Sequence, residues 1–328
     1  FFHAHAATPD PLWSRGLGDV YKRQVWCCRI RALVGFAAIT FGWVSAGGVL
    51  AAISVTDGSG NEVTLSAPPQ RIVSLAPHIT EVVFDLGAGP RLVGTVRYSD
   101  WPEAAKEVPR VGDAWSASVE TIVALKPDLV LAWQGGGLVR PVEQIQALGI
   151  PVYYDVTENL EDIARSQERL GVLLGASETG AKRSAATRAR LAALKRQAPT
   201  QGPKTFFQIA DQNLYTVSSQ HFIGEALALC GAHNIFADAE LPVPTVGVES
   251  VVAADPALIL ISRPVGQETL WETKWFDYGS VEAVYNDGIR IIAADLIYLT
   301  GTRLIQGVER LCEIVIDVSH GGEGANRH

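Results

Sequence analysis

Short apolar runs alternate along this chain with stretches of helical period, and the alternation occurs twice. Val55-Thr56 and Val63-Thr64-Leu65 flank the turn sequence Asp57-Gly58-Ser59-Gly60-Asn61, which predicts a hairpin within residues 53–69. Residues 71–75 form an apolar run that reads as a buried strand, and Ala76-Pro77-His78 reads as a loop. Thr80 is placed to cap a helix over 81–86 that Gly87 closes. Further strands are expected at 91–96, 129–133 and 150–154, with helices at 118–125 and 140–148. In the second half, 204–209 reads as a strand and 222–229 as a helix. Strands that alternate with helices imply parallel βαβ units.

Between the halves lies Ser177 to Gln197, SETGAKRSAATRARLAALKRQ. It has no proline, and Ala, Arg, Lys and Leu fill most of it, all good helix formers. Ser177 suits the N-cap, Glu178 the positive end of the helix dipole, and Lys195 and Arg196 the negative end. Pro199, Gly202 and Pro203 stop the helix. A helix of this length reaches roughly 30 Å, the width of a small domain. It reads as a strut joining two lobes; the alternative is an ordinary surface helix.

An internal repeat favours the strut. Glu120-Thr-Ile-Val-Ala-Leu-Lys-Pro-Asp-Leu-Val-Leu131 aligns with Glu249-Ser-Val-Val-Ala-Ala-Asp-Pro-Ala-Leu-Ile-Leu260. Leu86-Gly87-Ala88 matches Cys230-Gly231-Ala232, and Gly149-Ile-Pro-Val-Tyr153 echoes Gly288-Ile-Arg-Ile-Ile292. Three matched units in the same order predict a pseudo-duplicated α/β architecture.

Composition divides the chain. Its 328 residues suffice for two cores, and a net charge of -8 argues against nucleic acid as a partner. Methionine is absent even at position 1, and Asp19 to Gln24 with the preceding Trp13 to Asp19 resembles translated sequencing-adapter sequence. Residues 1–24 are therefore expected to be a non-native leader. Residues 25–51 read as a secretory signal: Arg29 and Arg31 precede the uncharged run 32–50, and Ala51 and Ala52 suit cleavage. That run is about the length of a minimal membrane span, so an uncleaved anchor is the alternative. The expected organisation is then an N-terminal lobe over 52–175, the bridging helix over 176–198, a C-terminal lobe over 199–320 and a tail over 321–328. Cys230 and Cys312 remain in the exported part; in an oxidising compartment such a pair reads as a disulfide, with two buried thiols as the alternative.

The sequence contains no GxSxG, HExxH, CxxC or P-loop, so no catalytic chemistry is indicated. His78 falls in the first strand-to-helix loop, where α/β proteins bind ligands; it is either polar lining or a metal ligand. His221 and His233 lack zinc-ligand spacing. Loop aromatics say more. Tyr98, Trp101, Trp115 and Trp133 lie at strand ends or in loops of the first half, and Tyr215 and Tyr298 hold similar places in the second. Aromatics on two facing lobes can sandwich a large flat ligand, or they can cap each lobe's core; for Trp133 both readings stand. Glu120 and Glu249 begin equivalent helices, either as helix-end charges or as a symmetric carboxylate pair gripping a two-fold partner.

These residues carry a family resemblance. Arg71-Ile-Val-Ser-Leu-Ala-Pro77 with Thr80-Glu81, Tyr98-Ser-Asp-Trp-Pro102, residues 120–128 and Leu131-Ala-Trp133 resemble the periplasmic cobalamin-binding proteins of ABC importers. Phe207-Gln208, Cys230-Gly231, Asn234-Ile-Phe236, Asp295, Arg303 and Cys312 extend the likeness over about 69–316. The resemblance implies an α/β fold of two Rossmann-like lobes bridged by one long backbone helix, the class III periplasmic binding protein arrangement. It implies a corrinoid ligand in the inter-lobe cleft, no cofactor of the protein's own, and contacts at His78, Tyr98, Trp115, Trp133, Tyr215 and Asp295. It implies docking of Glu120 and Glu249 onto arginines of a permease dimer, a Cys230–Cys312 disulfide, and a monomer in the periplasm.

Two positions depart from that family. Val243 stands where enterobacterial cobalamin binders carry Trp, and Leu299 where many relatives carry Arg near the ligand. The expectation is a solute-binding protein, not an enzyme, that delivers a corrinoid to an ABC importer. Haem or a ferric siderophore on the same scaffold is the alternative ligand, and a siderophore would call for basic cleft residues. A nitrogenase-type enzyme would need a cluster ligand set that Cys230 and Cys312 alone cannot supply, and a receptor-type sensor would need a second apolar span.

Overall fold

The computed structural model describes residues 52–113, 115–210, 213–264 and 271–321. The leader and signal expected at 1–24 and 25–51 lie outside the described residues.

The chain opens with an antiparallel hairpin, β1 (Ile53–Thr56) and β2 (Glu62–Leu65), at the place its alternating pattern predicts. A five-stranded parallel sheet follows, made of β3 (Ile72–Ser74), β4 (Leu92–Val96), β5 (Arg110–Gly112), β6 (Leu129–Trp133) and β7 (Val152–Asp155) in the order β5-β4-β3-β6-β7. Helices α1 (Pro77–Asp85), α2 (Val119–Ala124) and α3 (Val139–Ala147) make its connections. Central strands β3 and, up to Ala132, β6 are buried on both faces because helices cover both, as parallel sheets require.

Two helices come next, α4 (Leu160–Leu173) and α5 (Ser177–Gln197). The second half holds β8 (Lys204–Gln208), β9 (Leu214–Tyr215), α6 (Phe222–Leu229), β10 (His233–Asn234), β11 (Thr245–Val246), α7 (Val248–Ala254) and β12 (Leu258–Arg263). It ends with α8 (Trp271–Trp275), α9 (Glu282–Tyr285), β13 (Ile289–Ala293), α10 (Ala294–Ile297) and α11 (Leu304–Gly321). Its parallel sheet has the order β10-β8-β12-β13, which reproduces β4-β3-β6-β7 of the first. The repeat seen in sequence is thus a repeat of topology. Gly87 and Gly231 close α1 and α6 with φ of 78° and 81°, and Lys126 and Asp255 both take left-handed φ, 49° and 48°, before a proline.

The strut does not cross alone. Helix α4 lies antiparallel beside α5: Gly171 meets Gly180, Ser184 donates to Glu168, and Arg188 pairs with both Glu168 and Glu161. Leu160 and Ile163 of α4 enter the second sheet's core, whereas Leu170 and Leu173 enter the first's. The Asn159 capping box, with Asp162 as its return partner, starts α4. Two starts differ from expectation. Helix α1 begins at Pro77, not after Thr80, because proline at a first helical position loses no hydrogen bond. Ser177 is itself helical, and Ala176 takes the cap position of α5 without a side-chain bond.

Cys230 and Cys312 form a disulfide between the end of α6 and α11. Among the described residues no helix is long and apolar enough to cross a membrane.

Candidate ligand cleft

A cavity of about 620 Å³ opens between the two sheets, at the carboxyl ends of their strands. The loop after β3 supplies Ala76, Pro77 and His78, and the end of β6 supplies Trp133. Across from them stand Ile209 after β8, His221 and Phe222 at the start of α6, and Tyr298 to Thr300 after α10. Among the described lining residues there is no Lys or Arg.

Of the six contacts expected from sequence, the structure brings His78, Tyr98 and Trp133 to this wall. Tyr98 is 75% exposed and held at φ 65°, a left-handed conformation rare outside glycine. Its neighbours pin the turn: the Ser99 hydroxyl accepts from Thr95, and the Ser99 carbonyl accepts from Arg110. His78 is buried, edge-on to Trp133 with ring centroids 5.6 Å apart. Its Nε2 is buried without a hydrogen bond, 3.7 Å from Asp155 Oδ2. Asp155 in turn accepts from Ser166 at 2.7 Å and from Thr157 at 3.2 Å.

Trp115, Tyr215 and Asp295 do not line the cavity. Trp115 stands 78% exposed on a turn whose backbone N–H groups at Trp115 and Ser116 donate to Asp113, and those bonds hold the Asp113 carboxyl below its ordinary range. Tyr215 sits in the β9–β11 pair. Asp295 is engaged elsewhere: its Oδ2 accepts from Arg303 at 3.1 Å. Arg303 also bonds Glu81 of α1 at 2.8 Å and lies 5.4 Å from the Trp101 ring. This network ties α1 to the segment before α11, joining the two halves beside the cavity. Burial pushes the Glu81 carboxyl up, and Arg303 partly offsets it.

Sequence reasoning did not place Phe222, His221, Leu138 or Thr157 at the site, yet all four are on the wall. The repeat held the signal. The Leu86–Cys230 equivalence places Phe222 opposite His78 and His221 opposite Pro77, at the starts of α1 and α6. His221 caps α6, its Nδ1 accepting from the Ile223 N–H at 3.2 Å, and burial lowers its pKa to about 4. Tyr298 hydrogen-bonds Ser262, and burial pushes its phenol up. Val243 and Leu299 both line the cavity and extend its apolar wall.

Glu120 and Glu249 are exposed in the first turns of α2 and α7, the equivalent helices of the two halves. Ser118 caps α2 through the Thr121 N–H and donates to Glu120 Oε2 at 3.2 Å.

The family model described as "Periplasmic binding protein" matches residues 72–284. A vitamin B12-binding protein of Vibrio campbellii is 33% identical over 250 residues, 76% of this chain and 90% of that protein. The crystal structure of the periplasmic vitamin B12 binding protein of Vibrio cholerae superposes with a TM-score of 0.69 at 34% identity, covering 77% of this chain and 98% of that one. A periplasmic heme-binding protein of Roseiflexus sp. RS-1 gives a TM-score of 0.65 at 25% identity, covering 76% and 99%.

Proposed function

The chain belongs to the periplasmic binding protein family, and from that premise we propose that it captures cobalamin or a related corrinoid in the cleft and delivers it to an ABC importer. The carrying observation is the cavity wall: mainly aromatic and aliphatic side chains from both lobes, with no Lys or Arg among the described lining residues. Such a wall suits a broad, largely neutral macrocycle, whose burial supplies the affinity. Relatives that are 33% and 34% identical and named for vitamin B12 binding point the same way. His78, Tyr98 and Trp133 from the first half and Phe222 and Tyr298 from the second make the contacts in this reading.

Glu120 and Glu249 dock onto arginines of the two permease subunits, one carboxylate per lobe, and set orientation and on-rate more than affinity. The lobes are residues 52–175 and 199–320, joined through 176–198, and the protein works as an exported monomer without a cofactor of its own. Haem is the second reading, favoured by the heme-binding relative at 25% identity. A siderophore fits less well, since an anionic ligand has no cation to meet on this wall.

Calorimetric titration of the 52–328 chain with cyanocobalamin and then haemin tests the proposal. Tight one-to-one cobalamin binding is expected; haemin binding without cobalamin binding overturns it. A Glu120→Ala, Glu249→Ala variant keeps ligand affinity and loses coupling to the permease, and unchanged coupling refutes the docking role.

A further inference from the structure

A second cavity, about 390 Å³, adjoins the cleft and has a different character. Trp133, Gly136 and Leu138 line both spaces. The remaining wall of the second is more polar, with Ser59 and Asn61 from the β1–β2 turn, Gln134 and Tyr154 set beside Val139 and Val142. Ser59 donates to Gln134 Oε1 at 2.8 Å, so the hairpin tip is tied to the loop after β6. Trp133 is the partition. A Cβ at Gly135 would lie 2.7 Å from its indole, and His78 packs edge-on to the same ring, so the indole is held from two directions. At Gly136 no side chain separates the two spaces.

Resting on the corrinoid reading above, we propose that this polar cavity is a subsite for the ligand's nucleotide appendage, the part carrying sugar hydroxyls and an aromatic base. The main cavity, at about 620 Å³, lies in the range that suits drug-sized ligands, and a complete corrinoid is larger than those. The macrocycle takes the apolar space, and a hydroxyl-rich appendage needs a neighbouring compartment that satisfies its hydrogen bonds. Ser59, Gln134 and Tyr154 offer hydroxyl and amide partners for it, and the second face of Trp133 offers a stacking surface for the base. The carboxylates of haem would find no cation in this wall, so the subsite also discriminates between the two ligand classes.

The test compares cyanocobalamin with dicyanocobinamide, which lacks the nucleotide, by calorimetry on the wild type and on Ser59→Leu and Gln134→Leu. Both substitutions fall on exposed loop positions, and thermal melts confirm retained folding. Cyanocobalamin affinity is expected to fall about tenfold in each variant, the cost of one good polar contact, with cobinamide affinity unchanged. Cobinamide should bind the wild type at least tenfold more weakly than cyanocobalamin. Equal affinity of the wild type for the two corrinoids, or variants that weaken both alike or neither, overturns the subsite while leaving the corrinoid reading intact. Failure of both corrinoids to bind the wild type overturns the corrinoid reading and the subsite with it.

Discussion

The two sheets share one strand order, β4-β3-β6-β7 against β10-β8-β12-β13, but they are locked by different chemistry. In the first, the hydroxyls of Ser74, Thr80, Thr95 and Ser99 form a buried cluster that joins β3, α1, β4 and the Tyr98 turn. In the second, the place of Leu86 is taken by Cys230, which is covalently tied to α11. The starts of the equivalent helices differ too: proline at the first position of α1, a histidine cap on α6. Backbone topology repeats because the same left-handed turns and apolar strands recur. The locks diverge because many side-chain solutions satisfy one scaffold.

The largest effect should come from removing the covalent lock. Cys230 and Cys312 are 82 residues apart in sequence, and the chain-entropy account assigns roughly 4–5 kcal/mol to closing such a loop. A Cys230→Ser, Cys312→Ser variant should lose stability of that order in urea titrations. Hydrogen exchange should show the loss confined to amides of β8, β12 and α11. Equal loosening of the first sheet would break the comparison, since the halves would then unfold as one unit.

Arg303→Ala comes next, because it attacks the link between halves. Its removal strands the Glu81 carboxylate, whose side chain is 3% exposed, and loss of one partner of a buried pair costs about 3 kcal/mol. Burial already raises the Glu81 pKa, so the folded protein binds that proton more readily than the unfolded chain does. The damage should therefore shrink as pH falls and Glu81 protonates, and Glu81→Gln should restore part of it at neutral pH. Urea midpoints at two pH values decide this; an Arg303→Ala loss independent of pH would remove Glu81 from the explanation.

Gly180→Ala sharpens the role of the bridge. In an exposed helix this change gains up to about 1 kcal/mol. Here the added Cβ would lie 2.6 Å from the Gln167 carbonyl oxygen and 2.9 Å from the Gly171 Cα. The sign should reverse, to a loss of about 1–3 kcal/mol from overpacking between α4 and α5. A gain in melting temperature would mean that the bridge is looser than its geometry.

Much of this scaffold was legible in the sequence, and the reasons are local. Apolar runs bounded by Gly and Pro mark β6, β7 and β12, and the Ala/Arg/Lys-rich composition marks α5 end to end. Helix α4 was passed over although Asn159 and Asp162 spell its capping box, because its partner face is read only once α5 is placed beside it. The site was half legible. His78, Tyr98 and Trp133 follow strands directly, so strand ends locate them. Asp295 stands off the cavity wall, and its partner, Arg303, is fixed by tertiary packing that spacing does not encode. Phe222 was hidden because an aromatic at a helix start also reads as core.

The smallest effect separates the two helix starts by pH. The His221 imidazole accepts the Ile223 N–H, which only its neutral form can do, and burial holds its pKa near 4 against an ordinary 6.5. A folded pKa below the unfolded one means that the unfolded chain binds the proton first. Stability from this group is complete above about pH 6.5 and drains away as pH falls toward 4. The cap residue of α1, Ala76 ahead of Pro77, has no titrating side chain and makes no side-chain cap bond, so that cap has no such bond to lose. Glu81 titrates with the opposite sign, so total stability mixes the two, and the difference between wild type and His221→Asn isolates the cap. Asn accepts the same backbone N–H without titrating. The melting temperatures of the two proteins should differ little at pH 7.5, and the variant should hold the advantage by pH 5. Parallel curves would mean that the cap bond contributes nothing to α6, and the two helix starts would be energetically alike despite their different chemistry.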